Sequence, residues 1–267
     1  MGNSQLAPLR QVGKVAGKGE DGELKALHRL SQHLRNPKYA KLQQDLFGEV
    51  NLIIALASKP NSDRVALAAL GVLVRLEDNS RLFREHPQLT TMLLDRLDAG
   101  GEEQVVIAVL NLLYLLANGD RCAKEMLQQH PRLIPLLLTK LEADSDLALI
   151  EALKVVQNLT VDSCNHTVEM VSSLLPVLLG LRQRADVLPR AIIVLYHLTC
   201  SLGNLPVLNQ NLLLVDMLTE NTKHEYIGLY ALLALINLRG AAQHEGPLRP
   251  PSSKLQRATR PETCSAP

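Results

Sequence analysis

The sequence predicts an all-α chain built as a stacked helical repeat array, on three observations. A leucine recurs at Leu34, Leu76, Leu116, Leu159, Leu198 and Leu238, at spacings of 42, 40, 43, 39 and 40 residues. The text around it is helical each time: SQHLRN, LVRLED, YLLANG, QNLTVD, YHLTCS and LINLRG. The hydrophobic content, 46% of 267 residues, is carried by Leu, Val, Ile and Ala, with aromatics at 3% and no Trp. A period near forty residues marks arrays in which each unit buries its apolar face on its neighbours. Aliphatic residues of this kind are good or tolerable helix formers. Binding sites built on Trp are excluded.

The elements follow in order. Residues 1–19 contain Gly2, Pro8, Gly13, Gly17 and Gly19 and few large apolar residues, which predicts a flexible arm. A single helix is expected over Glu23 to Leu34, with Leu24, Leu27, Leu30 and Leu34 at the helical period. Five three-helix units are placed near 36–78, 79–119, 120–161, 162–200 and 201–240, so that the repeat domain spans 20–240.

The third unit shows the pattern. Arg121 to Gln129 forms a short first helix, and His130-Pro131 breaks it. Proline lacks an amide proton and has a fixed φ, so it suits a helix's first turn. The second helix is predicted from Pro131 to Glu142, with Leu133, Ile134, Leu137, Leu138 and Leu141 inward. Asp144 and Ser145 offer side-chain oxygens to cap the third helix, which carries Leu147, Ile150, Leu153, Val156 and Leu159. The second unit repeats this with His86-Pro87, a helix from Pro87 to Asp98, a Gly100-Gly101 break and a helix from about Glu103 to Ala117. Both histidines are expected at helix termini in solvent. After Gly240 the text changes to Pro247, Pro250, Pro251, Pro261 and Pro267 among Ser, Arg and Lys. Residues 241–267 hold too little apolar surface to offset chain entropy and are expected to be disordered.

Charge and cysteine usage narrow the function. The 28 basic and 27 acidic residues leave a net charge of +1. A duplex-binding chain normally shows clustered basic excess, so nucleic acid is not the expected ligand. Cys122, Cys164, Cys200 and Cys264 form no CxxC pair, which gives no local support for a metal site. Cys122 and Cys164 fall 42 apart, at nearly the same place in successive units. That suits small buried residues, and a reducing, cytoplasmic compartment is expected. Cytoskeletal, ciliary or nuclear pools are compatible with it. No signal peptide or transmembrane helix is read. The sequons at Asn158 and Asn165 are read as chance. The opening Met-Gly-Asn-Ser-Gln-Leu resembles a myristoylation start, but Leu6 stands where Ser or Thr belongs, so lipidation of Gly2 is not expected.

No chemistry-bearing constellation is found. GKGEDG at 17–22 follows no strand, so it is not a phosphate loop. The eight histidines show no HExxH spacing. Cys200 lies three residues from His197, close enough to meet on a helix, but no third group orients the pair. Burial is the default for a cysteine. The chain is read as non-enzymatic, with no cofactor and no metal.

EALKVVQNLT (151–160) and YALLALINLR (230–239) resemble the third-helix ending of the armadillo repeat, where an Asn-Leu pair precedes a small or polar residue. The resemblance covers roughly residues 20–240. It implies a right-handed superhelical solenoid of about five three-helix repeats with an N-terminal capping helix. HEAT repeats, with two helices per unit, are the nearest alternative. In peptide-binding armadillo proteins that asparagine holds the backbone of an extended ligand, and Asn158 and Asn237 fall on it. A carboxamide, with one acceptor and two donors, suits peptide N–H and C=O groups together. The other units have Arg75, Leu115 and His197 there. The family's groove tryptophan, one turn earlier, is replaced by Gly71, Asn111, Lys154, Ile193 and Leu233. This incomplete ladder argues against a nuclear-import type of receptor.

Third helices line the concave side in this family, and residues three, four and seven apart share a helix face. The candidate partner-binding residues are therefore Arg75, Asn111, Glu151, Lys154, Asn158, Arg190, His197, Tyr230 and Asn237. The expected function is a protein–protein interaction scaffold or adaptor that holds an extended or helical partner segment along the groove. A chaperone-type assembly factor and a membrane-linked signalling adaptor are the alternatives. The chain is expected to be a monomer outside its complex.

Overall fold

The fold was analysed in a computed structural model of the chain. It describes residues 14, 19–34, 50–59, 62–76, 85–118, 121–142, 145–162 and 167–240. The arm before Gly19 (Lys14 apart), Gly2 and residues 241–267 lie outside these. The described residues are helical, with no strand among them. The helices are α1 (Glu20–Leu34), α2 (Val50–Ala57), α3 (Asp63–Leu73), α4 (Gln88–Ala99), α5 (Glu103–Ala117), α6 (Arg121–Gln128) and α7 (Leu133–Leu141). They continue with α8 (Asp146–Thr160), α9 (Val168–Gly180), α10 (Leu188–Thr199), α11 (Leu205–Asn209), α12 (Leu212–Asn221) and α13 (Gly228–Gly240). Short 3-10 turns follow α9 and precede α11.

The local chemistry explains where these helices begin. Glu20, Asp21 and Glu23 put negative charge at the positive end of the α1 dipole. The Ser145 hydroxyl accepts from Ala148 N at 3.2 Å at the start of α8, as the sequence predicts. Thr167 and Asn211 accept from Met170 N and Leu214 N at 3.1 and 3.2 Å, capping α9 and α12 in the same way. Between α4 and α5, Gly100 and Gly101 adopt φ of 73° and 96°, values that side chains disfavour. The α13 start needs glycine for another reason. A Cβ on Gly228 would lie 2.3 Å from the Thr222 carbonyl oxygen.

The chain divides into two compact units, residues 1–136 with 145–151 and residues 137–144 with 152–267. In the first, α3 packs on α1, α2 and α5, and α5 packs on α4 and α6. In the second, α10 packs on α9 and α13, and α13 packs on α12. Of the recurring leucines, Leu76, Leu116, Leu159, Leu198 and Leu238 are buried, whereas Leu34 is half-buried. The core around them is almost wholly aliphatic.

Side-chain links reach from one repeat to the next. In the first unit Arg96 on α4 donates from Nε to Ala57 O at 2.7 Å and from Nη2 to Lys59 O, and pairs with Asp63 at 3.3 Å. The Asp63 carboxylate also accepts from Glu102 N at 3.0 Å, beyond the glycine break. Lys59 pairs with Glu23, which is 1% exposed, at 2.5 Å. Arg132 bonds Asp95 at 2.7 Å and Asp98 at 2.9 Å, and these hydrogen bonds raise its pKa above the ordinary value.

Three expectations are corrected. His86 is not at a solvated terminus: it is 6% exposed, and its Nδ1 lies 2.9 Å from Asn51 Oδ1 in the preceding repeat. Proline marks a break in chain direction, but the side chain beside it can still be drawn into the neighbouring repeat. His130, at the second such break, is half-buried and its Nδ1 accepts from Arg132 N at 3.4 Å. Leu147 is 58% exposed, not inward. It lies four, seven and eleven residues before Glu151, Lys154 and Asn158, so it shares their helix face.

The third helices repeat in burial as well as in sequence. Six residues before the recurring leucine stand Leu70, Leu110, Leu153, Ile192 and Leu232. The first four are 0% exposed, whereas Leu232 is 47% exposed. Leu229 at 54% and Ile236 at 37% extend the same stripe of α13, three and four residues to either side. Within the units, α5 covers α3 and α13 covers α10. No helix follows α13 among the described residues. Equivalent truncations should therefore differ. Ile192→Ala should cost about 2–5 kcal/mol in urea unfolding, the range for a large-to-small core change. Leu232→Ala should cost below about 1 kcal/mol, as a surface change does. Equal costs would show that the α13 stripe is covered.

Candidate functional site

The third helices α3, α5, α8, α10 and α13 carry the sequence-nominated residues. Arg75 follows α3, is half-buried and donates from Nη1 to Gly71 O. Asn111 on α5 and Glu151, Lys154 and Asn158 on α8 are half-buried. They occupy the single strip of each helix that the apolar packing leaves at least partly open.

In the second unit this strip runs over three helices. Arg190 on α10 donates from Nη1 to Gln157 Oε1 on α8 at 3.0 Å. His197, also on α10, sits with Nδ1 3.4 Å from the Thr160 hydroxyl at the end of α8. Its ring lies 5.5 Å from that of Tyr196. Tyr196 in turn meets Tyr230 of α13 edge to face, with ring centroids 5.5 Å apart. Arg190, His197 and Tyr230 are thus held by neighbours on their own or the next helix rather than swinging in solvent. Edge-to-face rings gain from the quadrupole as well as from burial.

Asn237 does not stand with them at the surface. It is 3% exposed. Its Nδ2 donates to the Thr199 hydroxyl on α10 at 3.1 Å and lies 3.8 Å from Cys200 Sγ. The geometry corrects its nomination as a ligand for a partner backbone: its carboxamide is committed between repeats. Buried polar groups must find partners, and here the partner is internal.

The sequence reading missed the other half of this arrangement. His197 to Thr160 and Asn237 to Thr199 are the same link made twice. In each, the residue before the recurring leucine reaches the threonine just after the previous repeat's leucine. Thr160 and Thr199 are 0% exposed, and their hydroxyls also donate to Gln157 O at 3.1 Å and Tyr196 O at 2.7 Å. The signal was present as Leu-Thr in QNLTVD and YHLTCS. Asn158 is half-buried where Asn237 is buried, so two asparagines that look alike in sequence differ.

Cys200 and His197 are not arranged as a nucleophile and base. The thiol is buried and donates to Tyr196 O at 3.5 Å, while the imidazole contacts Thr160. Among the described residues no three His, Cys, Asp or Glu side chains are grouped to hold a metal ion. No single helix among them is long and apolar enough to cross a membrane. The side chain of Cys122, and Cys164 and Cys264 altogether, lie outside what the structure describes.

No protein-family model matches the chain, and no curated protein matches it. Solved structures do. The designed armadillo repeat protein YIII(Dq)4CqI superposes with a TM-score of 0.70 at 16% identity, over 86% of this chain and 99% of its own. The designed armadillo repeat protein YIII(Dq.V1)4CPAF, in complex with the peptide (KR)4, gives 0.71 at 17% identity, over 86% and 98%. A computationally designed armadillo repeat protein for modular peptide recognition gives 0.62 at 15%, over 88% and 98%. The chain has an all-α armadillo-like repeat fold.

If Asn237 is a packing residue, Asn237→Ala should lower stability by about 1–3 kcal/mol, the cost of breaking a buried hydrogen bond. Urea unfolding followed by circular dichroism measures it. A variant as stable as the parent would return Asn237 to the list of surface groups.

Proposed function

We propose that this chain is a non-enzymatic protein-binding scaffold that holds a segment of a partner protein on the face formed by its third helices. One observation carries the reading: an armadillo-like fold whose third-helix strip holds half-buried polar side chains among its apolar ones. Two of the similar structures are designed proteins described with a peptide or for peptide recognition. Lys154, Asn158, Arg190, His197 and Tyr230, all in the second unit, are the residues proposed to contact the partner. A polar side chain fixed by packing loses little freedom on binding, which lowers the ordering cost of capturing a flexible segment. The Asn158 carboxamide has the chemistry to read a backbone, since it can both donate and accept.

The test starts from the full chain as bait and narrows a recovered partner to its shortest binding segment. Asn158→Ala and Lys154→Ala should each weaken binding of that segment by about 0.5–1.5 kcal/mol, the usual worth of one hydrogen-bonding side chain. Calorimetry measures the affinity, and the melting temperature should stay near that of the parent. Affinity untouched by both changes would remove the third-helix face from the function. Binding lost on deleting residues 241–267 but kept in both variants would move it to the tail.

A further inference from the structure

We propose that the exposed apolar stripe of α13 is a self-association surface, through which two copies of this chain pack α13 against α13 in antiparallel order. This departs from the monomer expected from the sequence and is independent of the partner-binding reading above. The observation is a stacking face on which, among the described residues, nothing stacks. Nine, six and two residues before its recurring leucine, α8 has Ile150, Leu153 and Gln157, none of them exposed. Leu229, Leu232 and Ile236 hold those places on α13, and all three are exposed. Tyr226, 76% exposed, extends the stripe at its start. A helix that is apolar on every side is normally covered on every side. In a repeat array the outer face of a terminal unit is normally polar, and a contiguous apolar patch marks a contact site.

The chain itself selects the occupant. Residues 241–267 are shorter than one repeat, and Leu248 and Leu255 are their only large apolar residues. That is too little to stand in for a stacked unit. Head-to-tail stacking, which builds filaments, needs an apolar face at the other end of the array. Helix α1 instead buries Ala26, Leu27 and Leu30 and exposes Lys25, His28, Arg29 and Gln32. A second α13 is the surface that matches. Leu229, Leu232, Ile236 and Arg239 are spaced three, four and three, the seam along which two helices interlock. The stripe is also self-complementary. In an antiparallel pair with its two-fold axis at Leu232, Leu229 comes beside Ile236 of the second copy. Exposed Arg239 then comes opposite Glu225, which is exposed in the turn before the second copy's α13. A parallel pair would set Arg239 against Arg239, a juxtaposition of like charge. Helix α13 is about 20 Å long at the usual rise per residue. One such face buries less than the roughly 1,200–2,000 Å² of a standard interface, so the dimer is reversible.

The experiment is sedimentation equilibrium of the full chain over a wide range of concentration, with reductant to keep its cysteines from bridging. The mass should rise from one chain to two and stop there. Leu232→Glu sets a charge at the axis and should weaken the dimer about tenfold or more. Its circular dichroism should match the parent's, because the side chain is exposed in the single chain. Leu229→Glu is read in its place if Leu232→Glu loosens the helices. Arg239→Glu should weaken the dimer about three- to tenfold, and adding Glu225→Arg should restore it. The surface cost given above for Leu232→Ala is that of the separated chain at high dilution. Mass growing past two chains overturns the two-fold in favour of head-to-tail stacking. A dimer that survives Leu232→Glu removes the α13 face from the contact, and failure of Glu225→Arg to restore it overturns the antiparallel order. A monomer at every concentration overturns self-association altogether. If Leu232→Ala is then as costly as Ile192→Ala, the occupant is this chain's own residues 241–267; if it is not, the face is open to a different protein.

Discussion

Everything in this structure depends on one constraint: a repeat can bury its apolar face only against the repeat beside it. A single three-helix unit has too little interior to hold itself together, so stability is a sum of nearest-neighbour interfaces. The polar contacts obey the same rule as the leucines. Lys59 to Glu23, Arg96 to Asp63, His86 to Asn51, Arg190 to Gln157 and Asn237 to Thr199 all join residues between 33 and 38 positions apart. That is close to one repeat length. The forty-residue period is therefore the distance over which the chain must repeat its chemistry for each unit to fit the next.

This constraint sorts the residues of a third helix by phase. On α10, Ala191, Ile192, Val194, Leu195, Tyr196, Leu198 and Thr199 are buried, which leaves one strip containing Arg190, Ile193 and His197. Packing consumes the remainder of the circumference. Only about one residue per turn is then free of the packing, and changes elsewhere on the helix register as loss of stability. The apolar stripe of α13 at Leu229, Leu232 and Ile236 follows the same logic in reverse. Its residues are of the packing type, as at the equivalent places in earlier repeats, and they are exposed because no described helix stacks on them.

The repeat, the order of the helices and the bounds of several were legible in the sequence. Helix α5 runs from Glu103 to Ala117 as read, and the Gly100-Gly101 break has the positive φ that its glycines suggest. The start of α7 at Leu133 rather than Pro131 is a small shift, because Pro131 and Arg132 form the turn that precedes it. Leu147 reads as inward from its apolar type, His86 as solvated from its place at a helix break, and Asn237 as a surface group from the armadillo resemblance. Helical phase and the chemistry of the neighbouring repeat decide instead. Leu147 lies on the open strip because of its phase, whereas Asn237 is buried because Thr199 offers it a hydroxyl. Such information lies one repeat away, beyond any local window.

The same reasoning explains how a fold can be shared at about 15% identity. The positions that define an armadillo-like repeat are apolar and interchangeable: Leu70, Leu110, Leu153 and Ile192 do one job, and any residue of that shape would serve. The strip that faces outward is under no such restriction. There the repeats of this chain present Arg75, Asn111, Lys154 and His197, four different chemistries on one scaffold. The packing positions specify the fold, and the strip is where one such repeat can differ from the next without disturbing it.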